Sequence, residues 1–237
     1  MNIKNYNFLA TLSLVGVLSG CSSHMMDIKY ESSYEPVQPN VSEKVYVGEV
    51  LDSRGTAPNW LGAIRGGYGN PLKKLYTNDV TSKVVEKAFE DALRTRNLLG
   101  PASSSQYRIN VKLIKFDTSY YVNKEAHANF TVSLVDNAAE NKIFSRTYKT
   151  DNEKSGRAAG IFGDVNSLSS FANDTLNETI DKMLNDQDFI AAIKAPSQIN
   201  NHGSIAPRLE ELKKLKKQGL MSETEYAKKR ASIIDEL

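Results

Sequence analysis

The side chain with the most chemical potential in this chain is its only thiol, Cys21. It follows an uncharged apolar run from Phe8 to Leu18, with Lys4 giving a positively charged start and Ser19 and Gly20 standing directly before the cysteine. That run falls well short of the ~20 residues a membrane-spanning helix needs and matches the apolar centre of an export signal. Two small residues before a cysteine fit a peptidase site that excludes bulky side chains. Residues 1–20 therefore read as a signal peptide that stops at a thiol. The other chemistry-bearing residues are scattered. His24, His127 and His202 lack the spacing of paired metal ligands on one element. No Gly-x-Ser-x-Gly elbow occurs. Gly66, Gly67 and Gly69 do not have the spacing of a phosphate-binding loop, and no Gly-Lys-Ser/Thr follows them. The sequence predicts no catalytic residue, no metal site and no cofactor, which is the expectation for a non-enzymatic protein.

The stretch Leu18-Ser19-Gly20-Cys21 closely resembles the lipobox of bacterial lipoproteins. The resemblance implies cleavage before Cys21, a diacylglyceryl group on its thiol and an acylated new N-terminus. Each buried methylene contributes ~0.8 kcal/mol, and two or more chains anchor a protein stably. No later stretch has the ~18 consecutive apolar residues of a spanning helix, so the expectation is a protein anchored to a membrane without crossing it. Ser22 and Ser23 follow the cysteine where an inner-membrane retention signal in Gram-negative families has Asp. For such a host this implies the periplasmic face of the outer membrane. Acylation would consume the only thiol, so no disulfide can staple the exported domain.

What must position these groups is a domain of ordinary composition. The chain of 237 residues is 40% hydrophobic and 24% charged with a net charge of +2, which gives no electrostatic argument for nucleic acid as a partner. Residues 21–42 are polar, contain Pro36 and Pro39 and read as a lipidated tether lifting the domain off the membrane. Residues 43–195 carry the elements. Lys44–Leu51 is apolar and β-branched, as in a buried strand. Residues 79–98 carry a helical stripe through Val80, Val84, Val85, Ala88, Phe89, Ala92 and Leu93, with Asn78 as N-cap and Gly100-Pro101 as terminator. Three alternating strands follow at 107–116, 126–135 and 142–150. A second amphipathic helix runs from Ser167 to Leu184, and a short apolar segment spans Phe189 to Ile193. The order β-α-β-β-β-α predicts an α+β two-layer sandwich with helices on one face of a four-stranded sheet. This order behind a lipobox looks like that of small envelope lipoproteins, including transport-auxiliary lipoproteins. That likeness implies an alternative role as a ligand-binding or accessory subunit of an envelope transport or assembly system.

Residues 52–76 hold the only tryptophan and read as a long loop between strand and helix. Long loops are often functional. Trp60, Leu61, Ile64 and Tyr68 fit either a contact surface or residues folded back over the sheet edge, since aromatic residues are enriched in cores and at interfaces alike.

Residues 196–207 form a linker by composition, and residues 208–237 predict an αα-hairpin. Leu209, Leu212 and Leu215 share a helical face, Gly219 suits a left-handed cap, and Ser222 with Glu225 forms a capping box. Tyr226, Arg230, Ile233 and Ile234 line the second helix. These positions resemble the SHOCT (short C-terminal) domain family, with Met221, Tyr226 and Arg230 as conservative departures. The family resemblance implies oligomerisation or another protein contact. Some thirty residues cannot bury enough surface to fold alone. The leucine stripe is therefore expected to dock on its own domain, on a second copy or on another envelope protein.

Overall fold

The computed structural model describes residues 22–31, 44–155, 164–195 and 205–234, with backbone only at 205–208. Residues 1–20, expected to be a signal peptide, Cys21, His202 and most of the expected linker lie outside the described residues. The fold is α+β, with a mixed seven-stranded sheet and five helices among the described residues.

Three long strands form the centre: β5 (Tyr107–Tyr120), β6 (Lys124–Asp136) and β7 (Asn141–Lys154), joined antiparallel by short turns. Their alternation decides which face is buried. Tyr107, Ile109, Val111 and Leu113 of β5 and Ala128, Phe130, Val132 and Leu134 of β6 are all buried, as expected. The period breaks once, between Leu113 and Lys115, where an extra residue bulges from β5. The bulge leaves Ile114 exposed and turns Phe116 and Thr118 inward. The face opposite the core carries hydroxyl pairs, Thr131–Thr147 at 2.8 Å and Ser133–Ser145 at 3.0 Å.

Helix α1 (Thr81–Thr95) packs Val85, Ala88, Phe89, Ala92 and Leu93 into the core, with Phe89 edge-on to Phe130 at 5.7 Å. Its start differs from the expected Asn78 cap. Val80 occupies the cap position and offers no side-chain bond, while the Thr77 hydroxyl lies 3.2 Å from that of Thr81. The helix ends before Gly100, because Asn97 takes a left-handed φ of 56°. Helix α2 (Val165–Leu184) buries Leu168, Ala172, Leu176, Ile180 and Met183, and the Asp164 carboxylate caps its first turn. Helix α3 (Gln187–Lys194) is separate, with its own cap at Asp186.

The expected four-stranded sheet is corrected to seven strands. Strand β2 (Val45–Asp52) pairs in parallel with the first half of β5. Residues 52–76 do not form one long loop. They fold into β3 (Trp60–Arg65) and β4 (Pro71–Thr77), an antiparallel pair that joins the second half of β5 through β3. A local count hides these strands because β3 is irregular. Its register shifts between Trp60 and Gly62, and Leu61, Ala63 and Ile64 are buried without strict alternation. Gly62 has a φ of 150°, and a Cβ there would sit 1.7 Å from the Thr118 carbonyl oxygen, so only glycine allows β3 to approach β5.

The seventh strand is β1 (Ser22–Met26), parallel to β4 at the sheet edge, with Ser22 opposite Lys73 and Met26 opposite Thr77. Residues 22–31 were expected to belong to a tether. They are instead part of the folded domain.

Candidate functional site

The residues following Cys21 are fastened on two sides. On one, β1 bonds to β4. On the other, residues 27–31 lie along α2. The Ser169 hydroxyl and the Asn173 amide both donate to the Asp27 carbonyl, at 3.0 and 3.1 Å. The Lys29 N–H donates to the Asn173 side chain, and the Asn177 amide donates to the Glu31 carbonyl at 2.9 Å. Met26 and Tyr30 are buried. The Tyr30 hydroxyl donates to Asp181 at 2.7 Å, and the Arg96 guanidinium lies 3.7 Å from the same carboxylate, both charged side chains being nearly inaccessible. Burial pushes the Asp181 carboxyl up, outweighing the opposing effects of the Tyr30 bond and the Arg96 charge. A sequence signal for this docking exists in Met26, Ile28 and Tyr30, spaced by two between Asp27 and Lys29, but it is only three residues long.

The residues expected in a loop at 52–76 part company. Ile64 and Leu61 are core. Trp60 is half-buried and stacks edge-on against Tyr76 at 5.5 Å. Tyr68 alone is fully exposed, at the tip of the β3–β4 turn. Around Trp60 the charged groups are structural. Arg54, 4% exposed, pairs with Asp52 at 2.8 Å and donates to the carbonyls of Trp60, Phe116 and Pro58, clamping residues 53–59 to the sheet. Burial raises the Asp52 carboxyl, but the bonds from Arg54 outweigh it and hold the group below the ordinary carboxylate range. The cavity beside this clamp, lined by Arg54, Trp60 and Asp117, is about 60 Å³, room for water rather than a metabolite.

A larger groove of about 350 Å³ runs between residues 26–29 and α1. Its lining lysines are all paired, Lys83 and Lys87 with Glu86 and Asp91 on their own helix and Lys29 with Glu31. His127 bonds to Asp151 at 2.7 Å on the solvent side of the sheet, and the bonds from Lys149 and His127 hold the Asp151 carboxyl down. His24 bonds to the Ser22 hydroxyl. The described histidines are thus on different elements.

At the other end of the described chain, α4 (Ile205–Lys217) and α5 (Glu223–Ile234) lie against each other. Gly219 has a φ of 70°, its N–H donates to Lys216 and the Leu220 N–H donates to Leu215, closing α4 with a left-handed cap. The Ser222 hydroxyl accepts from the Glu225 N–H, and the Glu225 carboxylate accepts from the Ser222 N–H at 3.0 Å, a reciprocal capping box. These bonds hold the Glu225 carboxyl below its ordinary range. Lys216 ties the two helices, pairing with Glu223 at 2.7 Å and lying over the Tyr226 ring at 4.6 Å. Of the stripe residues, Leu212 and Ile233 are buried, outside the main core cluster. Leu209, Leu215, Tyr226 and Ile234 are only half-buried, and Leu220 is exposed.

No helix among the described residues is long and apolar enough to cross a membrane. A family model described as "uncharacterized lipoprotein" matches residues 35–194. No curated protein matches the sequence. Among solved structures, a Xanthomonas campestris protein of the DUF330 family has a TM-score of 0.51 at 13% identity, covering 69% of this chain and 92% of its own. A Caulobacter crescentus CB15 protein described as a candidate lipoprotein reaches 0.38 at 12% identity, covering 48% of this chain and 84% of its own. The PelC dodecamer of Paraburkholderia phytofirmans reaches 0.38 at 14% identity, covering 63% and 91%. The Xanthomonas similarity is one of fold.

Proposed function

The chain belongs to a family of uncharacterized lipoproteins, and from that premise we propose that it is a non-enzymatic, lipid-anchored protein of the cell envelope. Cys21 is the acylated residue. Its Sγ forms a thioether with a diacylglyceryl group, releasing the thiol proton and the headgroup of the donor phospholipid. Water cleaves the Gly20–Cys21 peptide bond, and the freed amine takes an acyl chain from a second phospholipid. The observation that carries this reading is the family match together with the LSGC stretch at the end of an apolar leader. Ser22 and Ser23 after the cysteine favour the periplasmic face of the outer membrane in a Gram-negative host.

The second part of the proposal concerns α4 and α5. They form a SHOCT-like αα-hairpin whose task is self-association or contact with another envelope protein. The half-burial of Leu209, Leu215, Tyr226 and Ile234 leaves apolar surface that a unit of this size does not cover alone. Two measurements test the reading. Metabolic labelling with a fatty acid should mark the native protein and not a Cys21→Ala variant, which should also leave the membrane fraction. The Cys21→Ala protein without its signal peptide should show a larger solution mass with residues 205–237 than without them, beyond the mass of the segment itself. Two monomers at micromolar concentration would contradict the association role.

A further inference from the structure

We infer that the end of the sheet bearing the β3–β4 and β5–β6 turns rests on the lipid surface, with Tyr68, Tyr121 and Val122 entering the headgroup region. The inference rests on the proposed acylation of Cys21 and adds to it an orientation and a membrane-contact surface.

The attachment has no slack. One peptide bond joins Cys21 to Ser22, so their Cα atoms are ~3.8 Å apart. Ser22 is already the first residue of β1. Strand β1 is held by β4, and the residues after it are held by α2. A flexible tether of twenty residues would let a domain wander ~25 Å from its anchor. Here the acyl chains attach directly to the edge of a rigid sheet, so whatever surrounds Ser22 is carried to the bilayer.

Ser22 sits at the end of the sheet that carries two exposed turns. Its partner Lys73 is near the start of β4, just after the turn that holds Tyr68. Strand β3 runs parallel to β5, with Ile64 opposite Tyr120, so the β5–β6 turn comes to the same end. The two turns touch, the Tyr121 hydroxyl donating to the Gly67 carbonyl at 2.7 Å. Tyr68 is fully exposed, Tyr121 is 40% exposed and Val122 is 51% exposed. Tyrosine pairs an apolar ring with a polar tip and favours the membrane–water boundary. The nearby charges are mostly basic, with Arg65, Lys73, Lys74, Lys124 and Lys154 against Glu125 and Glu153. The contact therefore joins aromatic and apolar side chains at the tips to a basic fringe behind them, which suits a surface containing anionic headgroups.

The orientation places the rest of the molecule. The start of β5 is at the opposite end, ~45 Å along the strand. There the Tyr107 hydroxyl donates to the carbonyl of Ala195, the last described residue before α4. The chain therefore leaves for its C-terminal helices from the membrane-distal end.

The test uses the full-length acylated protein in vesicles of phosphatidylethanolamine and phosphatidylglycerol. Acylation leaves no native thiol, so Tyr68→Cys, Val122→Cys and Ala138→Cys each offer a single labelling site, the last in the exposed β6–β7 turn at the far end. Fluorophores at 68 and 122 should be quenched about threefold more by nitroxide lipids than one at 138, as for groups in the headgroup layer. A label-free check is Tyr68→Trp in a Trp60→Phe background, whose emission should shift to the blue on vesicles. Mass spectrometry of the same sample separates the two failures. An unmodified Cys21 would remove the anchoring reading itself. An acylated Cys21 with equal quenching at all three positions would overturn the orientation. Shielding from aqueous iodide without lipid quenching would also overturn it, and would assign the surface to a second copy.

Discussion

The two ends of the described chain are held in opposite ways. Residues 22–31 have little structure of their own and take it from distant partners, the β4 ladder on one side and α2 on the other. Residues 205–234 are built from short-range bonds, a left-handed cap at Gly219 and a capping box at Ser222, and their buried residues lie outside the main core. The proposed anchor is thus rigidly joined to the domain, whereas the proposed interaction element is locally defined. A rigid attachment fixes how the domain faces the membrane. A locally defined hairpin can engage a partner without disturbing the sheet.

The strongest way to break this contrast is at the buried charges behind Tyr30. Replacing Arg96 with Met leaves Asp181 without its cation in a nearly inaccessible site and should cost about 3 kcal/mol, as for other buried pairs broken on one side. Urea denaturation of the Cys21→Ala protein should show this as a lower midpoint for the whole α+β domain. Next is Met26→Ala, which empties a buried position on β1 and should cost about 2–3 kcal/mol. Hydrogen exchange should then rise in residues 22–31 first, and unchanged exchange there would contradict the docking of β1.

The same contrast explains what was legible in the sequence. The alternation of β5 and β6 is regular over many residues and identifies the core face directly. The caps of α4 and α5 are local and legible for the same reason. Strands β1, β3 and β4 depend on pairing partners far along the chain. The three-residue alternation at Met26, Ile28 and Tyr30 is too short to stand out from a polar segment, and the bulge before Gly62 removes the period from β3. The polar Lys73-Lys74 in β4 conceals a strand that buries Leu75 and Thr77. The split of the 52–76 segment into core residues and one exposed tip at Tyr68 follows from that hidden pairing.

A smaller effect is expected at the local end. Gly219→Ala forces a side chain into the left-handed region and should cost about 1 kcal/mol. Exchange should rise in α4 and α5 only, while the urea midpoint of the sheet stays in place. Loss of sheet stability would mean that the helices are not locally defined after all.

The most subtle test is pH. The Asp181 carboxyl is raised in the folded state by burial. Its contribution to stability is therefore fully present below the ordinary carboxyl value of 3.8 and is lost as pH rises through the elevated folded value. Relative to Asp181→Asn, the protein should lose stability with rising pH across that window. Parallel stability curves would show that Asp181 titrates normally and that the site behind Tyr30 is open to water.

The central claim, anchoring through Cys21, is tested most directly by the intact mass of the native protein extracted from membranes. The account predicts a mature chain beginning at Cys21, heavier than residues 21–237 by a diacylglyceryl group and a further acyl chain. A chain that keeps residues 1–20, or one that begins elsewhere with an unmodified Cys21, would contradict it.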